Sequence, residues 1–379
     1  MVEFHTGSTS VKIHGYIIAP NKDNFDKKKI IDNIEISRIP KEFYVNISPN
    51  YSGISIERYD FGKEVSPYRD KFYNGATIFP RSYFFIKLES TEKYGSIVST
   101  QEKYTSEANR RTKKGSYSAF FDHNSVPNEL IFSVLLGENI NKFYADLSKK
   151  AVIPIYSKNG HATSVVNKQQ SKGIAKYQFT LNPGIIQSRN TYEKEELKSL
   201  YQAYVKKFNE FELDWENQRG DKFNTKGKTS AKMSLWDNLD YIGKLISQDP
   251  FSEKLAVVYN ESGTSIRCVV IKSKGVIFEH KTYYYYASSE NEAYYLAGIL
   301  NSQRLISILK SSGILAERDI EKKVFEVNIP LFDGKNSLHN EISLLSKQIS
   351  ESLENGEKLE DQNNQQRLES IEKAVSKII

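Results

Sequence analysis

The stretch Glu292–Ser302 reads EAYYLAGILNS, and it decides the class of fold that we expect for this chain. Ser289 stands three residues before Glu292, which is the spacing of a capping box at the start of an α-helix. In such a helix Leu296 and Ile299 lie on one face and turn into a core. The preceding runs 255–259 and 268–271 have the apolar, β-branched composition of strands. Strands followed by an amphipathic helix predict a mixed architecture.

Hydrophobic patterning extends this interpretation to the rest of the chain. Short aromatic and β-branched runs such as 54–56, 83–86 and 177–180 predict strands before residue 190. Apolar residues three and four apart then predict a long helix between 191 and 218, and a second helix from 235 to 246. The patterns divide the chain into a β-rich lobe (1–190), a helical insertion (191–250), a mixed α/β segment (251–335) and C-terminal helices (336–379). The predicted fold class is α+β, with a β-rich lobe, a helical insertion and a C-terminal helical hairpin.

Composition narrows the class of protein. The 379 residues carry a formal net charge of +6, which is compatible with a polyanionic partner but does not require one. Cys268 is the single cysteine, so an internal disulfide and a multi-cysteine zinc site are excluded. The N-terminal residues do not have the pattern of a signal peptide, and no apolar run has the length of about eighteen residues that a membrane helix needs. We therefore expect a cytoplasmic protein.

Three blocks of sequence carry a family resemblance. They are Ser66-Pro67-Tyr68 with Tyr73–Arg81 (YNGATIFPR), the pattern Trp236-x-x-Leu239-x-Tyr241-x-x-Lys244-Leu245-x-x-Gln248, and the run Glu292–Asp333. In this order and spacing they resemble the C-terminal target-recognition region of adenine-specific N6 DNA methyltransferases of restriction-modification systems, of the type IIG kind. The resemblance covers roughly residues 60 to 350 and implies a module that recognises a sequence in double-stranded DNA.

The catalytic half of such an enzyme is not found in this sequence. The family's Asn/Asp-Pro-Pro-Tyr/Phe tetrapeptide and its glycine-rich S-adenosylmethionine turn are both missing, and Asn182-Pro183-Gly184 is better interpreted as a turn. The resemblance therefore implies no catalytic residue and no cofactor in this chain. It implies that a methyltransferase chain or domain supplies the chemistry and binds S-adenosylmethionine.

Basic side chains are the candidate DNA contacts. The guanidinium group of arginine can grip a phosphate or a guanine edge, and a basic loop interleaved with aromatics is typical of DNA-binding surfaces. The predicted DNA-binding residues are Arg81, Arg110, Arg111, Lys113, Lys114, Arg318, Lys322 and Lys323. For each a plainer interpretation stays open: Arg81 as a surface arginine after a turn, residues 110–114 as a solvated loop, and Arg318 as the partner of Asp319.

Other functions are less well supported by the sequence. Glu196-Leu197-Lys198 matches the end of a metal-dependent nuclease pattern, but it lies in a helical period, and the six histidines do not have metal-ligand spacing, so we predict no metal site. Three alternatives remain open: a stand-alone specificity subunit, a protein-interaction module that does not bind DNA, and an inactive remnant.

Overall fold

The structure, a computed structural model, divides the chain into two compact units. The described residues are 10–20, 36–47, 52–55, 64–88, 96–99, 124–170, 177–186, 191–218, 233–311 and 320–379. Unit 1 comprises Met1–Phe72, Ser262–Arg267 and Tyr294–Ile379, and unit 2 comprises Tyr73–Glu261 and Cys268–Ala293.

Seven α-helices lie within these ranges. They are α1 (Arg81–Phe84), α2 (Thr191–Gln218), α3 (Leu235–Leu239), α4 (Glu290–Asn301), α5 (Gln303–Ser311), α6 (Ser337–Glu354) and α7 (Gln362–Val375). None of the described helices is long and apolar enough to cross a membrane.

The described strands are numbered β1 to β19. They are β1 (Ser10–Pro20), β2 (Ile36–Ile47), β3 (Ser52–Ser55), β4 (Tyr73–Asn74), β5 (Phe85–Leu88), β6 (Ser96–Ser99), β7 (Asn124–Ser125), β8 (Ile131–Leu135), β9 (Ile140–Asn141), β10 (Tyr144–Ala145), β11 (Lys150–Val152), β12 (Ile155–Lys158), β13 (His161–Ser164), β14 (Val166–Gln170), β15 (Tyr177–Leu181), β16 (Leu255–Asn260), β17 (Cys268–Lys272), β18 (Val276–Phe278) and β19 (Thr282–Tyr286).

The strands form several small sheets. Unit 1 has the antiparallel sheet β1-β2-β3. Unit 2 has a six-stranded sheet in the order β18-β8-β11-β5-β6-β7, in which β18 and β8 are parallel, and an antiparallel four-stranded sheet in the order β17-β16-β19-β4. Three two-stranded pairs complete unit 2: β9 with β10, β12 with β13, and β14 with β15. The predicted α+β class is confirmed.

The apolar face of helix α2 packs into the larger core of unit 2, as the three- and four-residue spacing of its apolar residues predicts. Its side chains Phe208, Phe211 and Trp215 are fully buried. The Phe211 ring stacks on Tyr83 with 4.8 Å between ring centroids. Trp215 also donates its indole N–H to the carbonyl oxygen of Met233 at 3.1 Å, which satisfies the one polar group of a buried tryptophan.

The second predicted helix is shorter than the sequence suggests. Helix α3 starts with a capping box between Ser234 and Asp237 but ends at Leu239, so the prediction of a helix continuing to residue 246 is wrong. Beyond the helix the Asp240 carboxylate accepts backbone N–H groups that a helix would direct to its own carbonyls, and Ile242 has a φ of 51°. The chain therefore continues as short 3₁₀ turns.

The run Tyr83–Ile86, predicted as a strand, begins as a helical turn. The N–H of Tyr83 donates to the carbonyl of Pro80 at 3.2 Å, and strand β5 starts only at Phe85. The turn directs Tyr83 and Phe84 into the buried core of unit 2, where Tyr83 meets Phe211.

The C-terminal helical pair is confirmed as α6 and α7 in unit 1. Near their junction the Ser352 hydroxyl donates to the amide oxygen of Asn364 at 2.9 Å. The Glu372 carboxylate of α7 accepts the N–H groups of Gln303 and Arg304, at 2.5 and 3.0 Å, at the start of α5. A carboxylate at a helix N-terminus satisfies unpaired N–H groups and is favoured by the helix dipole, so α7 also stabilises α5.

We predict that Gly75→Ala destabilises unit 2. A Cβ atom at residue 75 would lie 2.4 Å from the carbonyl oxygens of Phe278 and Glu279, and backbone atoms cannot rotate away as side chains can. We expect a loss of about 3 kcal/mol in the free energy of unfolding, measured by urea denaturation. Gly334→Ala is the matched control, because its Cβ would meet only Phe332 at 3.8 Å. Equal stability of the two variants would contradict this prediction.

Candidate nucleic-acid interface

The segment Tyr73–Arg81 is held against residues 278–282 by backbone hydrogen bonds. Gly75 donates to the carbonyl of Thr282 at 3.0 Å, Ala76 donates to Phe278 at 2.8 Å, and His280 donates to Ala76 at 2.8 Å. Gly75 is buried at this contact, where no side chain would fit. The glycine that the sequence places in the first block thus permits close approach of two backbones.

The second block is tied to the same backbone by two buried amides. The Gln248 carboxamide is fully buried and makes two bonds to Phe278: its Nε2 donates to the carbonyl at 2.9 Å, and its Oε1 accepts the N–H at 2.7 Å. Asn238 donates from Nδ2 to the carbonyl of Phe79 at 2.8 Å. The segment Tyr73–Arg81 of the first block and the second block are therefore packed together within unit 2.

Lys244 and Asn74 join the two blocks at the surface of this assembly. Lys244 Nζ donates to Asn74 Oδ1 at 2.9 Å, while Asn74 Nδ2 donates to the carbonyl of His280 at 2.6 Å. Partial burial lowers the pKa of Lys244, and the charge of Glu261 acts in the opposite direction. The neighbouring Tyr73 side chain is 61% exposed.

Arg81 faces a buried carboxylate. Its guanidinium Nη2 is 3.9 Å from Oε1 of Glu279, the side chain is only 12% exposed, and its Cζ lies 5.8 Å from the centroid of the Phe85 ring. His280 Nδ1 also lies against Oε1 of Glu279. Burial favours a higher pKa for Glu279, but the contact with His280, the charges of His280 and Arg81 and the Lys281 N–H outweigh it and lower that pKa. Arg81 thus has a structural partner, and its contact with DNA stays a prediction.

The third block is tied to Ser66-Pro67-Tyr68 within unit 1. Ser66 donates its N–H to Phe325 at 2.9 Å and its hydroxyl to the carbonyl of Ile329 at 2.8 Å. The hydroxyl of the buried Tyr68 accepts the N–H of Phe332 at 2.9 Å. From helix α4, Tyr295 donates its hydroxyl to the carbonyl of Pro330 at 3.0 Å. Widely separated parts of the sequence meet here.

Two of the predicted DNA contacts lie on the 3₁₀ helix Glu321–Glu326 of this unit. Lys322 and Lys323 are both partly exposed. Burial lowers the pKa of Lys322, with Asp70 raising it and Arg69 lowering it further. Arg69 pairs with the fully buried Glu326, with 2.7 Å between Nη1 and Oε1. Lys322 therefore lies near an arginine whose position is fixed by its pairing with Glu326.

The other predicted contacts fall outside the described residues. They are Arg110, Arg111, Lys113, Lys114 and Arg318. In the described part of the chain, no three His, Cys, Asp or Glu side chains are grouped so that they could hold a metal ion.

Comparison with known proteins gives a weak likeness of fold. A solved structure of the type IIL restriction-modification enzyme MmeI in complex with DNA is similar to this chain, with a TM-score of 0.44 and 14% sequence identity. The similarity covers 91% of this chain and 37% of that one, so this chain spans little more than a third of that enzyme's length. No family model and no curated protein matches the chain.

Sequence reasoning missed two residues of this assembly. Glu279 stands between two strands without a motif around it, and only the fold reveals that it is the carboxylate facing Arg81. The apolar spacing predicts Ile242 on the inner face of a helix, yet its side chain is 76% exposed. The adjacent Gly243 is the one sequence feature that could have indicated a break in the helix there.

We predict that Gln248→Leu lowers the free energy of unfolding by about 3 kcal/mol, because leucine leaves the buried N–H of Phe278 without its partner. Urea denaturation measures the effect. Gln365→Leu is the control: that glutamine is exposed, and its side-chain Nε2 donates to the carbonyl of Leu359 at 2.7 Å near solvent, so a change below about 0.5 kcal/mol is expected. Similar losses in both variants would argue against a structural role for Gln248.

The lowered pKa of Glu279 predicts a particular dependence of stability on pH. A carboxylate whose pKa is depressed in the folded state contributes stability above its ordinary pKa of 4.5, and this contribution is lost as the pH falls through the folded value. Thermal unfolding between pH 7 and pH 3 should therefore show a smaller acid-induced loss in Glu279→Gln than in the parent chain. The control is Glu369→Gln, which alters an exposed carboxylate of α7 and should leave the pH profile unchanged.

Proposed function

We propose that this chain is the DNA sequence-recognition module of an adenine-specific N6 DNA methyltransferase in a restriction-modification system. The observation that carries the proposal is the sequence resemblance of three blocks in one order. The structure adds two contacts between blocks: in unit 2, Asn238 of the second block bonds Phe79 of the first, and in unit 1, Ser66 of the first block bonds Ile329 of the third. Gln248 of the second block also bonds Phe278, the residue that accepts the N–H of Ala76. Residues that fix such a scaffold position the loops that contact a ligand.

The proposed role is to select a site on double-stranded DNA, not to transfer the methyl group. A methyltransferase must hold a flipped adenine and S-adenosylmethionine, and the tetrapeptide and glycine-rich turn for those tasks are missing from the sequence. A methyltransferase chain or domain therefore supplies both. In the proposed complex this chain sets which adenine reaches that site.

Basic side chains supply the proposed affinity. Arg110, Arg111, Lys113 and Lys114 are four cations within five residues, and each would neutralise a phosphate and release a counterion. Lys322 and Lys323 add two amines on the 3₁₀ helix of unit 1. Phosphate contacts of this kind fix the register of a protein on the duplex, whereas loop side chains that reach the base edges read the sequence.

We predict that replacing all four cations of residues 110–114 by glutamine weakens duplex binding and reduces its salt dependence. The slope of log K against log salt should fall in magnitude by about 3 to 4, near 0.9 for each phosphate that is no longer neutralised. Fluorescence anisotropy over a salt series measures the slope.

The control removes the same charge elsewhere: Lys335, Lys358, Lys373 and Lys377, all exposed, are replaced by glutamine together. Its slope should stay close to that of the parent chain. A parent chain that binds no duplex at physiological salt would overturn the proposed function and favour a protein-interaction module. If the chain binds DNA as a stand-alone specificity subunit, the variant of residues 110–114 should still assemble with its partner subunits.

A further inference from the structure

The turn formed by residues 240–243 presents an apolar side chain in a strained conformation. Ile242 has φ 51° and ψ 32°, in the left-handed region, and its side chain is 76% exposed, the highest value among the large apolar residues that the structure describes. A β-branched residue rarely adopts this conformation, because its Cβ crowds the backbone. Glycine at this position would relieve the strain, and a side chain so exposed gains little packing energy to offset it.

Hydrogen bonds made by Asp240 fix the backbone of this turn. The Asp240 carboxylate accepts the N–H groups of Leu245 at 2.9 Å and Ile246 at 3.1 Å, and Gly243 donates to the carbonyl of Asp240 at 3.0 Å. Leu245 is fully buried in the core of unit 2. The Ile242 side chain is therefore displayed at a fixed position, as a residue that must press against another molecule should be.

The surroundings of the tip combine apolar surface with one amine. Tyr241, next to the tip, is 46% exposed, and Lys244 lies two residues further along. Lys244 is hydrogen-bonded to the neutral amide oxygen of Asn74, while the Asp240 carboxylate is engaged by backbone N–H groups. Ile242 and Tyr241 thus offer exposed apolar surface that can pack against a base stack, with the Lys244 amine two residues away in sequence. The Glu261 carboxylate acts on Lys244 and is itself paired with Lys281, with 2.6 Å between Oε2 and Nζ.

We propose that the Ile242 tip inserts as a wedge against the base stack of double-stranded DNA, with Tyr241 alongside it and Lys244 on the flanking phosphate. Proteins that bend or open a duplex insert isoleucine, leucine or phenylalanine between base steps in this way. A single tip is also far smaller than the roughly 800 Å² per partner of a typical protein interface, which favours DNA as the occupant. The inference rests on the proposed function and adds to it the side chain that opens the duplex.

The test compares Ile242→Gly with the parent chain. A duplex selected from a random pool for binding to the parent chain carries 2-aminopurine at each adenine in turn, and its fluorescence rises where a base is unstacked. The variant loses the wedge and the strain together. Its affinity should therefore fall about tenfold and the fluorescence rise should vanish, while its melting temperature increases by roughly 2 °C.

Leu213→Ala is the matched control, since Leu213 is 51% exposed on α2 of the same unit and its loss should change neither affinity nor fluorescence. Ile242→Asn, which tolerates a positive φ without an apolar tip, should behave like the glycine variant. If the parent chain binds and unstacks the duplex and Ile242→Gly does so equally well, the wedge is wrong and the proposed function stands. If the parent chain binds no duplex, both fail. Unchanged duplex binding with lost assembly onto a protein partner would also overturn the wedge and assign the tip to that partner.

Discussion

The hydrogen bonds around Phe278 are the constraint on which unit 2 depends. Its carbonyl oxygen accepts from both Ala76 and Gln248, and its N–H donates to the same Gln248 side chain. This arrangement requires the segment at residue 75 to approach without a side chain, because a Cβ there would lie 2.4 Å from that carbonyl. Buried backbone groups are costly when unpaired, so a glycine and a glutamine far apart in sequence are coupled through one residue.

In unit 1 side chains likewise pair the backbone groups of a segment that is distant in sequence. Ser66 and Tyr68 satisfy backbone groups at Phe325, Ile329 and Phe332. In both units, side chains that carry the family resemblance thus form hydrogen bonds with the backbone N–H and carbonyl groups of another segment. Their part in the proposed function is to hold a scaffold, which leaves contact with a duplex to loops and exposed turns.

The buried acids of the scaffold stabilise the fold, whereas the exposed Ile242 destabilises it. The buried acids Glu279 and Glu326 each lie beside an arginine, Arg81 and Arg69 respectively. Each of these arginines therefore stabilises a buried charge of the fold. Ile242 has the opposite effect on stability. Its left-handed backbone conformation lowers the free energy of unfolding, and its side chain is exposed to solvent. Strain of this kind persists only where the surrounding structure enforces it, which the bonds to Asp240 do here.

The sequence by itself determined the fold class, helix α2 and the C-terminal helical pair, because local apolar periodicity is enough to define an amphipathic helix. It also determined which segments resemble a recognition region, since a resemblance is a property of residue order. Only the tertiary structure decided that α3 stops at Leu239, that Glu279 faces Arg81, and that Gln248 pairs with Phe278. These features depend on contacts between residues far apart in the chain, where local propensity carries no information, and on an aspartate whose carboxylate competes with helical carbonyls for the same N–H groups.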